Sequence, residues 1–295
     1  MHLVLINNLF LLIRPNIRAL CLRAVYFPDR ITIMSSASGT KINQLLKLWH
    51  QGVVATSNWL EEQGAYQQLV HDYERSAWLE RLGKGAFKKS GDKIEWQGAL
   101  YAVQKHLKTQ IHVAAKTALS LQGVSHFLPL GRGYPIYLFG TPTEKLPLWF
   151  KKTDWGVRPE YVRTLFLGPQ ESLGIEEVEQ GAFSIRASSR ERAILEVCYL
   201  VPQHQGYEEA RLLLEGLQTL RPKLLQSLLE QCESVKTKRL FLHLAEACNV
   251  PWLSKLDLSK ISLGKGKRSI AKGGVYDSKY QLIVPKIHEG GSDVI

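Results

Sequence analysis

Residues 57–92 read SNWLEEQGAYQQLVHDYERSAWLERLGKGAFKKSGD, and this stretch decides the fold of the N-terminal part of the chain. Its beginning predicts a short helix that is capped by one of the polar residues 56–58, because a side-chain oxygen there can accept a hydrogen bond from the first turn. Gly64 ends this helix. A second helix with mostly polar faces is predicted over residues 65–76.

A hairpin is predicted directly after the polar helix. Two short segments, residues 78–82 and 86–89, are joined by Gly83-Lys84-Gly85, and a glycine-rich link between such segments favours a tight turn. Upstream of the quoted stretch, apolar residues recur with helical spacing from residue 42 to residue 49. Helix, short helix, turn, polar helix and basic hairpin follow each other as in a winged helix-turn-helix. The sequence therefore predicts a winged helix-turn-helix over residues 41–92.

The polar helix and the hairpin carry side chains that suit contacts with DNA. A recognition helix fits the major groove, where Gln pairs with adenine and Arg with guanine, while lysines on the wing bind phosphates. The candidate DNA-binding residues of this region are Gln67, Gln68, His71, Arg75, Lys84, Lys88 and Lys89. The alternative is a winged helix that docks a protein, because residues 34–92 carry seven basic side chains against six acidic ones.

The rest of the chain, residues 93–286, predicts a mixed α/β domain, so that the fold class of the whole protein is α+β. Strands are predicted over 134–140, 146–150, 161–167 and 182–187. Helices are predicted over 96–107, 114–122, 208–220, 222–232 and 237–248. One further helix is predicted to start at residue 188, because Ser188 and Glu191 have the spacing of a capping box.

The positive charge of the chain is concentrated near its C-terminus. The formal net charge is +11, and residues 236–286 alone hold eleven basic side chains against three acidic ones. This region contains GKGKRSIAKGG, residues 264–274, whose glycines would allow the backbone to approach an anion closely. Lys265, Lys267, Arg268 and Lys272 are candidates for contacts with DNA phosphates. A mobile, solvated loop is the alternative.

Signals for catalysis or metal binding are weak throughout the sequence. The nine histidines include no HExxH pair, and the four cysteines have no CxxC spacing. We therefore predict no catalytic residues, no metal and no cofactor. Glu176, Glu177 and Glu179 form an acidic cluster that is typical of a solvated loop. The alternative is that such acids serve a nucleic-acid-processing enzyme.

The two ends of the chain are predicted to lie outside the folded domains. Residues 1–40 are expected to be an extension that is either disordered or the result of a wrongly assigned start, in which case translation would begin at Met34, ahead of the polar SSASGT and the first periodic helix. They lack the run of about 20 apolar residues that a membrane span requires, so no membrane is expected as a partner. Residues 287–295 are expected to be a tail. The cysteine usage fits a protein of the reducing cytoplasm.

Four motifs together resemble the AbiEi family, the antitoxins of type IV toxin–antitoxin systems, which act in abortive infection. They are WLERLGKGAF at 78–87, WQGALYA at 96–102, KTALSLQG at 116–123 and KGGVYDSKYQLIVP at 272–285. The first two in succession are the most specific, whereas a helix-turn-helix alone would not identify the family. The resemblance covers nearly all of residues 41–286.

This resemblance implies a winged-helix domain at residues 41–92 that is joined to an antitoxin domain at residues 93–286. It implies a transcriptional repressor that binds inverted repeats in its own promoter. The second implied partner is a nucleotidyltransferase-like toxin encoded beside it, which the antitoxin counteracts without forming a stable complex. The family pattern does not assign antitoxin activity to particular C-terminal residues.

Overall fold

The structure is a computed structural model that describes residues 41–124, 131–168 and 170–286. The predicted extension, residues 1–40, and the predicted tail, residues 287–295, lie outside the described residues. The chain divides into two compact units, residues 1–48 and 49–295. Within the first unit, the described part is helix α1 (Lys41–Leu48).

The second unit begins with two helices and a small antiparallel sheet. Its elements are β1 (Ala55–Thr56), α2 (Ser57–Glu62), α3 (Gln67–Arg75), β2 (Leu79–Gly83) and β3 (Ala86–Lys89). The strand order is β1-β3-β2, and both pairings are antiparallel. Helix α2 begins after Thr56 because the Thr56 hydroxyl accepts a hydrogen bond from the amide of Trp59 at 3.3 Å. These elements confirm the two helices and the hairpin predicted from residues 57–92.

A mixed five-stranded sheet forms the centre of the unit. The elements around it are α4 (Trp96–Tyr101), which continues as a π-helical turn (Ala102–His106), β4 (His112–Val113), α5 (Ala115–Leu121), β5 (Tyr134–Gly140), α6 (Leu148–Lys152), β6 (Val157–Arg163), β7 (Ile175–Gln180) and β8 (Phe183–Ser188). The strand order is β6-β5-β4-β8-β7. Strands β5 and β6 are parallel, as are β4 and β8, whereas the other two pairs are antiparallel.

Four α-helices and a second small sheet follow within residues 190–286. They are α7 (Arg190–Leu200), α8 (Tyr207–Glu215), α9 (Pro222–Gln231), α10 (Val235–Ala247), β9 (Arg268–Ser269), β10 (Val275–Asp277) and β11 (Leu282–Val284). Helix α7 packs against α5 and α10, and most of its residues are buried. The predicted helix over 208–220 is shorter than expected and ends at Glu215. No helix of the described ranges is both long and apolar enough to cross a membrane.

A buried polar network joins α7 to the central sheet. Arg192 and Glu196 are fully buried, and the Arg192 Nε donates to Glu196 Oε1 at 2.8 Å. His112 lies 3.3 Å from the same carboxylate, and the Ser188 hydroxyl donates to it at 2.8 Å. Burial alone would raise the pKa of Glu196, but the hydrogen bond from His112 and the charge of Arg192 hold it below its usual value.

This network corrects the predicted start of α7. Ser189, and not Ser188, caps the helix, because its side chain accepts from the Arg192 amide. Ser188 is fully buried, and its hydroxyl donates a hydrogen bond to Glu196. The sequence spacing to Glu191 suggested a capping box, but the Glu191 carboxylate instead accepts bonds from Arg221, including one from Nη2 at 2.7 Å.

Two predicted strands are wrong in whole or in part. Residues 146–150 were expected to be extended, but residues 148–152 form helix α6, in which the neighbours Trp149 and Phe150 are both buried. Neighbouring residues point to opposite faces in a strand but lie only about 100° apart in a helix, so the wide apolar side of a helix can bury both, and the absence of alternation in this apolar run is the physical reason. The strand predicted over 161–167 ends at Arg163, and the Leu165 carbonyl accepts from Gly168 in a turn.

The acidic cluster lies on a strand and not in a loop. Glu176, Glu177 and Glu179 belong to β7, at the edge of the central sheet. Glu177 pairs with Lys105 at 2.6 Å, and Glu176 pairs with Arg221 at 2.7 Å. Two of these acids therefore form ion pairs with cations on neighbouring elements, which accounts for their position on this strand.

Candidate nucleic-acid interface

Helix α3 presents a polar surface to solvent. Val70 and Tyr73 are its buried residues, and together they fix one side of the helix against the protein. The predicted contact residues Gln67, Gln68, His71 and Arg75 are all exposed. The structure thus brings the four predicted residues of this helix onto accessible positions of one element.

Weak pairs within the helix hold the polar side chains of α3. Arg75 Nη2 donates to Asp72 Oδ1 at 2.9 Å, and Gln68 Nε2 reaches the same oxygen at 3.5 Å. His71 Nδ1 lies 4.0 Å from Glu74. Exposed pairs of this kind contribute about 0.2–1 kcal/mol. They are therefore easily exchanged for contacts with another molecule.

A stronger ion pair ties α3 to the hairpin. Two of the three guanidinium nitrogens of Arg81, Nε and Nη2, donate to the Glu74 carboxylate, at 2.8 and 2.7 Å. The hydrogen bond from Arg81 lowers the pKa of Glu74 against the opposing effect of burial. The Arg81 guanidinium also lies over the Phe87 ring, 4.8 Å from its centroid. This clamp fixes the hairpin relative to the polar helix.

The three lysines predicted on the hairpin have different surroundings. Lys84 is exposed in the turn between β2 and β3. Lys88 is half-buried and donates to Glu80 at 2.9 Å and to the Asp92 carbonyl at 3.1 Å. Lys89 is also half-buried and donates to the Trp49 carbonyl at 2.6 Å. Phosphate binding by Lys88 and Lys89 stays a prediction, and it requires these bonds to be exchanged.

Glu80 organises the base of the hairpin. Its carboxylate accepts hydrogen bonds from the Gly91 amide at 2.9 Å and from the Ser90 hydroxyl at 3.0 Å. The bond from Gly91, followed by those from Lys88 and Ser90, lowers the pKa of Glu80 to about 2. The carboxylate is therefore ionised at any pH near neutrality, and it keeps Lys88 in place.

The second predicted region is the basic loop, residues 264–274. Its four predicted cations, Lys265, Lys267, Arg268 and Lys272, are all exposed. The Lys267 ammonium lies 4.9 Å from the centroid of the Tyr276 ring. Gly264 and Gly266 have φ angles of +61° and +77°, which glycine adopts without strain.

A buried arginine that the sequence did not single out holds the basic loop. Arg239 on α10 is 1% exposed, and its guanidinium donates to the carbonyls of Leu263 at 2.8 Å, Gly264 at 3.1 Å and Gly266 at 2.5 Å. It also reaches the Gln281 carbonyl at 3.1 Å. Burial, followed by repulsion from Arg268, lowers the pKa of Arg239. The only sequence signal was an arginine that directly precedes an apolar run in a helix.

Chemistry for catalysis has little support among the described residues. No three His, Cys, Asp or Glu side chains of ranges 41–124, 131–168 and 170–286 are grouped so as to hold a metal ion. His243 bridges Asp277, 2.6 Å from Nδ1, and the Tyr207 hydroxyl, 3.0 Å from Nε2. These bonds join α8 and α10 to the hairpin of β10 and β11, so that the histidine has a structural role.

Comparison with known proteins identifies the family of the chain. The N-terminal domain family described as "Transcriptional regulator, AbiEi antitoxin N-terminal domain" matches residues 38–130. The family described as "Transcriptional regulator, AbiEi antitoxin, Type IV TA system" matches residues 134–285. No curated protein sequence matches.

Among solved structures, the crystal structure of the RV2827C protein from Mycobacterium tuberculosis has a similar fold, with a TM-score of 0.50 at 16% sequence identity. The similarity covers 82% of this chain and 89% of that one. At this identity it supports the α+β fold alone. The two family matches cover most of the chain, including the polar helix, the hairpin and the basic loop. The chain belongs to the AbiEi antitoxin family of transcriptional regulators of type IV toxin–antitoxin systems.

Proposed function

We propose that this protein is the antitoxin and DNA-binding autorepressor of a type IV toxin–antitoxin operon in the cytoplasm. Residues 41–92 are its winged helix-turn-helix, and residues 93–286 are its antitoxin domain. The observation that carries the proposal is an exposed polar helix, α3, which is followed by a hairpin within the β1-β3-β2 sheet. Membership of a family of transcriptional regulators supports it.

In this proposal α3 is the recognition helix. An α-helix fits the major groove of B-DNA, where side chains with donors and acceptors distinguish base pairs. Gln68 and Arg75 are the residues that we assign to base edges, while Gln67 and His71 contact bases or phosphates. Lys84, in the turn of the hairpin, contacts a phosphate of the flanking backbone.

The basic loop serves as a second contact with the DNA backbone. Its four cations, Lys265, Lys267, Arg268 and Lys272, are exposed and face no acidic partner among the described residues. Each cation that neutralises a phosphate releases counterions, which favours binding at low salt without choosing a sequence. The loop would therefore add affinity to the selectivity of α3.

The toxin is a functional partner in this proposal. We expect it to be a nucleotidyltransferase-like protein encoded beside this gene, and we expect the antitoxin to counteract it without a stable complex. The proposal includes no catalytic residue, metal or cofactor in this chain.

Binding of the full-length protein to DNA from upstream of its own gene tests the proposal. Fluorescence anisotropy would compare that duplex with a scrambled duplex of equal length over a series of salt concentrations, and a reporter fused to the same promoter would measure repression. We expect tighter, salt-sensitive binding to the native duplex and repression of the reporter. Equal binding to both duplexes, or no salt-sensitive binding, would contradict the proposed repressor.

A further inference from the structure

A second group of cations surrounds the short helix α6. We call it the α6 patch, and it consists of Lys84, Lys145, Lys151, Lys152 and Arg163, all of which are exposed. Two open cavities of about 530 and 400 Å³ lie on either side of Leu148. Lys84 and Lys152 line the first cavity, and Lys145, Lys151 and Arg163 line the second. Leu148, which is 63% exposed, lines both and forms the ridge between them.

The cations of the α6 patch have no acidic partners among the described residues. None of the five forms an ion pair or a side-chain hydrogen bond within residues 41–124, 131–168 and 170–286. The acid that lines the second cavity, Glu144, accepts bonds from the amides of Gln110 and Thr141 and from the Thr141 hydroxyl. Five cations without ion pairs lie beside one carboxylate whose oxygens already accept hydrogen bonds. This surface therefore attracts a polyanion strongly.

Close packing fixes the α6 patch relative to the hairpin of β2 and β3. A Cβ atom at Gly83 would lie 2.8 Å from the Cβ atom of Trp149, so only glycine allows this approach of the hairpin to α6. Ser57 and Asn58, at the start of α2, line the same cavity as Lys84 and Lys152. The turn of the hairpin and α6 therefore share one surface that offers ammonium, hydroxyl and amide donors. These are the side-chain types that contact DNA phosphates.

We infer that the other four cations of the α6 patch, Lys145, Lys151, Lys152 and Arg163, bind the phosphate backbone of the DNA segment next to the one that Lys84 contacts. The inference rests on the proposed function, since it requires the hairpin to lie on DNA. It adds a contact from the second half of the chain, which has no part in the winged helix. Because phosphates carry no sequence information, the patch contributes affinity and the length of the protected DNA, and not the choice of operator.

A double substitution within α6 tests the inference. Lys151→Gln with Lys152→Gln removes two charges from exposed positions without touching the buried Trp149. The matched control is Lys223→Gln with Lys255→Gln, which removes two exposed lysines that likewise have no partner among the described residues. Anisotropy with the full-length protein and a labelled duplex from upstream of its own gene gives the slope of log K against log salt. We expect the slope of the α6 variant to become shallower by up to about 1.8, which is roughly 0.9 for each lost contact. The control should keep the wild-type slope.

Hydroxyl-radical footprinting of the same complexes gives a second readout. We expect the α6 variant to lose protection at one edge of the footprint while the protection of the central site persists. If the α6 variant kept the wild-type slope and footprint and had a normal circular dichroism spectrum, this inference would be overturned and the proposed function would stand. If that variant also lost protection against the toxin on co-expression, the patch would serve an acidic protein instead of DNA. A wild-type protein that does not bind the duplex at all would overturn both this inference and the proposed function.

Discussion

The polar helix α3 and the basic loop hold their cations in different ways. On α3, Arg75 is bonded to Asp72, and both residues lie on the same helix. In the basic loop, Lys265 and Lys272 have no partner among the described residues, and the loop backbone is instead fixed from below by Arg239. A side chain that is paired on a helix can exchange its partner for a base while the helix fixes its orientation, which suits the reading of bases. Unpaired charge on a fixed backbone suits phosphates.

The largest effect is expected where the loop is anchored. Arg239→Met removes the donor of four carbonyl contacts, and a buried acceptor that loses its partner costs about 1–3 kcal/mol. We expect the free energy of unfolding to fall by at least about 2 kcal/mol, measured by urea denaturation. The control is Arg268→Gln, at an exposed position, which should change stability by no more than about 0.5 kcal/mol. If the two variants were equally stable, the basic loop would not depend on Arg239.

Neutralising the loop itself should change DNA binding and leave stability alone. We expect the combined change of Lys265, Lys267, Arg268 and Lys272 to Gln to make the slope of log K against log salt shallower by up to about 3.6. The preference for the native duplex over a scrambled one should persist, because phosphate contacts do not select sequence. Anisotropy over a salt series measures both quantities. An unchanged slope in a folded variant would remove the basic loop from the DNA interface and leave antitoxin activity or solubility as its role.

The smallest effect concerns the clamp between α3 and the hairpin. The pKa of Glu74 is lowered in the folded protein, so its contribution to stability is present above its unfolded pKa of about 4.3 and is lost as the pH falls through the lower folded value. Because Arg81 is 51% exposed, we expect Glu74→Gln to cost only about 0.2–1 kcal/mol at neutral pH.

The pH dependence of urea unfolding checks this prediction. The difference between wild type and Glu74→Gln should shrink in acid, since both proteins then lack the charged carboxylate. Glu61→Gln, at an exposed position on α2, is the control and should behave like wild type. A difference that stays constant down to acid pH would mean that the ion pair with Arg81 does not stabilise the hairpin.

Local sequence was sufficient to predict the elements around α3. The hairpin of β2 and β3 follows from short segments joined by Gly83-Lys84-Gly85, and the helices follow from the spacing of apolar residues. The exposure of Gln68 and Arg75 also follows from that spacing, because the apolar side of the helix must be covered. These features depend on residues that are close in sequence.

Features that depend on distant residues were missed. The predicted strand at 146–150 is helix α6, which packs against the hairpin through Gly83 and Trp149, and no local pattern reveals this partner. Ser188 lost its predicted capping role to a buried bond with Glu196. The burial of Arg239 depends on carbonyls that lie more than 20 residues further along the chain. Tertiary contacts decide each of these cases.

The reading of bases by α3 is the central claim, and a comparison of two duplexes tests it most directly. Gln68→Ala and Arg75→Ala would each be measured by anisotropy on the native upstream duplex and on a scrambled one. Arg132→Ala is the matched control, because Arg132 forms an exposed ion pair with Asp154 as Arg75 does with Asp72. Each lost base contact should cost about 1–3 kcal/mol on the native duplex, or about 5- to 150-fold in affinity, with a much smaller loss on the scrambled one. Equal losses on both duplexes would contradict the claim, because they would mean that α3 touches only the backbone or does not enter the groove.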